Sequence, residues 1–114
     1  MAGISFGDEP QNVWIVAGWA FRQFLQDIEP WTGGDLELTN ALAESEIIGF
    51  LDVQSLNDTL RAKMTKIIEG MCRGILDGTC PSGIRASFPD AETHEAYLVG
   101  IRELLSAAET TEPG

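Results

Sequence analysis

One stretch limits the possible folds more than any other. Leu56, Leu60, Met64, Ile67, Ile68, Met71, Ile75 and Leu76 recur at three- and four-residue steps over five helical turns, which is the spacing of an amphipathic α-helix. Ser55, three residues before Asp58, is suited to cap its start, although Asp is shorter than the Glu or Gln of a capping box. Gly78, followed by Pro81, is placed to end it. Gly70 and Gly74 lie four residues apart on this helix. Each costs about 1 kcal/mol relative to Ala, a cost best explained by close approach of a neighbouring helix; a dimerisation face is the weaker reading, since such spacing is informative mainly inside membranes.

Three further segments follow the same period. From about Gln11 to Ile28, Val13, Trp14, Ala17, Phe21, Phe24, Leu25 and Ile28 share a broad face, with Ile15, Val16 and Trp19 extending it, so a central helix touched from several sides is expected. Pro10 suits its entry, Pro30 should block its continuation, and Gly33-Gly34 marks a turn. The segment from about Thr39 to Leu51 carries Leu38, Leu42, Ala43, Ile47, Phe50 and Leu51 on a helical stripe with Thr39 or Asn40 as cap. Residues 46–53 also read as a short strand, but a lone strand lacks a neighbour, so helix is favoured. Asp90 should cap a fourth helix bearing Ala91, His94, Tyr97, Leu98, Ile101, Leu104, Leu105 and Ala108. A loop from Thr79 to Pro89 precedes it, and a tail fraying from about Glu109 follows. The expected architecture is all-α, a compact bundle of about four helices in one domain spanning residues 1–114, with the second segment open to a short strand or irregular chain.

Chemistry is sparse. Cys72 and Cys80 form neither a C-x-x-C nor a Cys/His cluster, His94 stands alone, and free thiols are expected. Asp27 with Glu29, Asp35 with Glu37 and Glu44 with Glu46 are two residues apart, so on a helix each pair diverges. No phosphate loop, dinucleotide glycine pattern or calcium loop is present. We therefore expect no enzyme, metal or cofactor. The N-terminus lacks a basic, apolar leader, and Val13 to Leu25 is interrupted by Gly18, Arg22 and Gln23; a cytoplasmic, non-membrane protein is the expectation.

Charge is the distinctive feature. The chain has 18 acidic and 7 basic side chains, net −11, which argues against binding nucleic acid or an anionic membrane directly. Residues 1–59 carry −9 of this, with Arg22 as their single base, and no cation occurs between Arg22 and Arg61. That interval holds Asp27, Glu29, Asp35, Glu37, Glu44, Glu46, Asp52 and Asp58, with Trp31 between Pro30 and Gly33. Trp31 reads either as a lid over the core or as an exposed anchor. With the eight carboxylates it forms the candidate partner-binding set, and Leu36 or Leu38 are further anchors. A field of this sign steers a basic protein, whether a toxin or a nucleic-acid-binding protein.

In size, acidity and lack of catalytic groups the chain is similar in type to bacterial immunity proteins, which neutralise a cognate toxin, frequently a basic nuclease. The likeness covers composition and no motif. It implies occlusion of a toxin's active site or substrate-binding surface. The alternative is a helical adaptor or structural subunit that self-associates through Met64, Met71 and the glycine face of the third segment. Oligomeric state is not legible from the sequence.

Overall fold

The computed structural model describes residues 2–78 and 90–111. Among them are four α-helices, α1 (Gly18–Thr32), α2 (Leu36–Ile48), α3 (Asp58–Asp77) and α4 (Ala91–Thr111), with a small sheet of β1 (Ala2–Ser5), β2 (Val13–Val16) and β3 (Phe50–Asp52). The fold is thus mostly helical, but the all-α expectation is corrected by the sheet.

The sheet has the order β2-β1-β3. β1 pairs antiparallel with β2, Ile4 opposite Trp14, and parallel with β3, Ile4 opposite Leu51. Ile4, Trp14 and Leu51 are buried on the inner face. Gly3 belongs to the outer row, where a Cβ would lie 2.4 Å from the Trp14 carbonyl oxygen and 2.9 Å from Ile15 Cδ1. Only glycine fits there.

Val13–Val16 therefore does not open the first helix. Its β-branched residues take the strand that Ala2–Ser5 makes available, and Pro10 enters a single 3-10 turn, Pro10–Asn12, before it. α1 starts at Gly18 and runs past Pro30 to Thr32. Pro30 forfeits a bond to the Gln26 carbonyl, but both residues are exposed in the final turns, where solvent reaches the freed group. α2 is capped by Asp35, whose carboxylate accepts the Leu38 N–H at 3.2 Å, rather than by Thr39 or Asn40. Gly49, at φ 83°, turns the chain from α2 into β3, so the second segment is a helix followed by a short strand.

α3 is capped by Asn57, which accepts the Leu60 N–H at 2.9 Å. Ser55 instead donates to the Asp52 carbonyl. Asn57→Ala should therefore cost about 1 kcal/mol and Ser55→Ala much less, read as shifts in the urea midpoint; equal shifts would remove Asn57 from the cap. Gly78 ends α3 as expected. Asp90 caps α4 through the Thr93 N–H at 2.7 Å, and this holds its carboxyl below the ordinary range. α4 continues through Glu109 to Thr111, where a frayed tail was expected. The 79–89 loop, Cys80 and residues 112–114 lie outside the described residues.

A core of Ile4, Phe6, Trp14, Phe24, Ile28, Leu38, Met64, Ile68, Met71, Tyr97, Ile101 and Leu104 draws on every helix and on the sheet's inner face. α3 packs most extensively along α4 and also meets α1 and α2. Trp14 ties the sheet to the helices: its ring meets Phe24 edge-on at 5.8 Å and its indole N–H donates to the Gly100 carbonyl at 2.8 Å. Burial pushes the Cys72 thiol far up, so this free cysteine behaves as a core residue.

Candidate functional site

The acidic interval of the sequence maps onto the end of α1, all of α2, β3 and the start of α3. Its eight expected partner-binding carboxylates divide into three groups, and Trp31 stands apart from them.

Asp27 is excluded from any docking face. Only 6% of it is exposed, because it falls on the core side of α1. Its carboxylate accepts the Tyr97 hydroxyl at 2.5 Å and the Gln23 amide at 3.1 Å. Loss of water around the charge raises its pKa from 3.8 to about 6, although both hydrogen bonds pull the other way. The buried carboxylate joins α1 to α4.

Asp35 and Asp58 are tied to cations of α3. Asp35 caps α2 and receives Lys63 at 3.2 Å; the Leu38 N–H first, and Lys63 with it, hold its carboxyl below the ordinary range. Asp58 pairs with Arg61 at 2.8 Å. Exposed pairs of this kind contribute little to stability, but they partly cancel the field of the acidic interval at Asp35 and Asp58.

Glu29, Glu37, Glu44, Glu46 and Asp52 are exposed, and among the described residues none of them forms an ion pair. Glu37 and Glu44, seven residues apart, share one flank of α2. Glu46 lies on the opposite flank and, with Glu29, lines a cleft of about 490 Å³ between α1 and α2, which Leu25 and Leu42 also line and the exposed Ala43 borders. Asp52 follows on β3.

Trp31 is neither a closed lid nor a free anchor. Its ring lies over Gly70, where a Cβ would stand 3.3 Å from Cζ3, and 42% of the residue remains exposed. The close approach expected at Gly70 is thus made by an aromatic ring of α1. Of the two further anchors, Leu38 is buried and Leu36 is 74% exposed.

Two residues that sequence reasoning missed are Ile47 and Ile48, 86% and 74% exposed. Ile47 was expected on one stripe with Leu42, Ala43 and Phe50, but it stands five residues from Leu42 and nine from Leu38, which turns it away from the core face. A signal was present: α2 carries apolar residues on the side opposite its core face as well, more than one core-facing stripe needs. Met64 and Met71, the expected self-association surface, have no exposure, because they face the core between α3 and its neighbours.

Among the described residues no group of three or more His, Cys, Asp or Glu side chains is arranged to hold a metal ion, and no helix is long and apolar enough to cross a membrane. No protein-family model matches the chain, and neither does any curated protein or solved structure.

Proposed function

We propose that this chain is a non-enzymatic binding protein that docks a basic protein on the face made by α2, the end of α1 and β3, in the manner of an immunity protein covering a toxin. The supporting observation is the set of five exposed carboxylates without ion pairs among the described residues, Glu29, Glu37, Glu44, Glu46 and Asp52, in a stretch of sequence with no cation between Arg22 and Arg61. Side chains so placed add their potentials in solvent. They speed encounter with a positive surface and contribute less to the lifetime of the complex. A basic nuclease fits this face by charge, because the surface it uses for phosphates is the surface that acidic side chains can cover.

The burial of Met64 and Met71 favours this reading over self-association through those residues and the glycine face of α3. The test begins with cross-linking in the native host and identification of the captured protein by mass spectrometry. Association with the purified partner is then followed from low to high salt. Replacing Glu29, Glu37, Glu44 and Glu46 together by Gln should slow association by about tenfold or more at low salt, with the unfolding midpoint preserved. A neutral partner, or an association rate indifferent to salt and to the four substitutions, would refute the proposal.

A further inference from the structure

The outward side of α2 is mostly apolar, with Asn40 as its one polar member, where a solvated helix carries polar groups throughout. Leu36 and Ile47 are eleven residues apart, three helical turns, and so stand on one line about 16 Å long; Asn40 and Ala43 share that line, while Ile48 lies farther round, beside Glu37 and Glu44. Leu36, Ile47 and Ile48 are 74%, 86% and 74% exposed. Packing does not require them, since Leu38, Leu42 and Ser45 already supply the core face of the helix. Glu37 and Glu44 run along one side of the line and Glu46 along the other.

We propose that this ridge seats an amphipathic helix of the basic partner, apolar along one stripe and bearing Lys or Arg on both flanks. The inference rests on the docking function above and specifies how the partner is held. Charge selects the occupant. A second copy would set Glu37, Glu44 and Glu46 against their own counterparts, with no cation on α2 to relieve them, whereas a helix with basic flanks meets a carboxylate on either side of its apolar seam. This is the pairing logic of coiled-coil edges.

The two layers separate experimentally. Isotope-labelled protein is titrated with a synthetic Leu/Lys amphipathic helix of about four turns, with oligolysine of equal length, and with the corresponding Leu/Glu helix. Each is repeated on the Leu36→Ser, Ile47→Ser double variant, whose amide spectrum reports that it folds. The Leu/Lys helix should bind more tightly than oligolysine, shift the resonances of residues 36, 40, 43 and 47, and lose at least tenfold in affinity in the double variant through faster dissociation, with an unchanged salt slope. Oligolysine should not distinguish the two proteins, and the Leu/Glu helix should not bind.

If the Leu/Lys helix binds no better than oligolysine, or equally to the double variant, the ridge is not the seat, while the acidic-face reading survives. If neither cationic peptide binds, both fall. A free protein that dimerises in sedimentation and becomes monomeric on Ile47→Ser assigns the ridge to a second copy and overturns the inference. Nuclear Overhauser contacts from Ile47 to another segment of the same chain overturn it equally.

Discussion

Trp14→Ala is expected to destabilise the folded chain by about 3–5 kcal/mol and to lower its melting temperature by roughly 12–20 °C. A domain of this length has a total stability of about 6–17 kcal/mol, so the loss is a large share. The magnitude follows from position. Trp14 is 2% exposed, it is the inward residue of β2, and the ring fills the space between the sheet and Phe24. Truncation leaves a cavity bounded by a strand and helices that cannot all move inward. It also leaves the Gly100 carbonyl without the indole donor at 2.8 Å. Trp14→Phe separates the two effects, because it keeps most of the ring and removes the donor; a loss of about 1–2 kcal/mol is expected. Calorimetry or urea unfolding reads both. A Trp14→Ala protein that melts with the wild type would show that the sheet is not anchored to the helical layer through this ring.

The second large effect is a pH dependence of unusual sign. Most carboxylates in folded proteins have depressed pKa values and stabilise at neutral pH. Asp27 has a pKa of about 6 in the folded chain against 3.8 when unfolded. Between these values the folded state binds more protons than the unfolded one, so stability falls as pH rises through the interval. Above pH 6 the full cost of burying the anion is present, on the order of 2–3 kcal/mol; below pH 3.8 both states are protonated and the cost is gone. Acidification from pH 7 to about 4.5 should therefore move the urea midpoint upward.

Relief of repulsion among the many acids acts in the same direction, and Asp27→Asn isolates the contribution of the one residue. The amide retains an acceptor for Gln23 and presents its NH2 to the Tyr97 oxygen. The variant should be at least as stable as the wild type at pH 7, with a markedly flatter profile between pH 4 and 6. Asp35 and Asp90, whose pKa values are depressed, act in the opposite sense and only below about pH 3.8, where their protonation removes stability. Identical profiles for wild type and variant would contradict the burial cost assigned to Asp27.

The helices were largely legible because their signals are local. Met64, Ile68, Met71 and Ile75 carry their period within one segment, and Gly78 and Asp90 mark boundaries by backbone and capping chemistry that needs no distant partner. The sheet was not legible because its reason to exist is non-local. Val13–Val16 fits a helical stripe through Phe21 and Phe24, and only the presence of Ala2–Ser5 beside it makes the extended form the better one. The same missing partner led residues 50–52 to be assigned mainly to a helix.

Surface placement was legible in outline. Glu37, Glu44 and Glu46 are exposed, but Asp27, grouped by sequence with the surface acids, stands three residues after Phe24 and seven after Ala20, which puts it on the inner side of α1. Ile47 follows Ala43 by four residues, yet it stands five from Leu42 and nine from Leu38, which turns it to the outer side of α2, and the core position passes to Leu51 on β3.

The central position of β1 also bears on how quickly the chain can find its native state. Ile4 pairs with Leu51 across 47 residues of sequence, so the middle strand gains its parallel neighbour only after a long loop has closed. Such closure sets an entropic barrier that local helix formation does not lower. A nascent chain can complete the β1–β2 hairpin early, but the Leu51 side of β1 stays open until α1 and α2 have been synthesised and folded back. In kinetic terms, substitutions within β3 should slow refolding more than equally destabilising ones within α3.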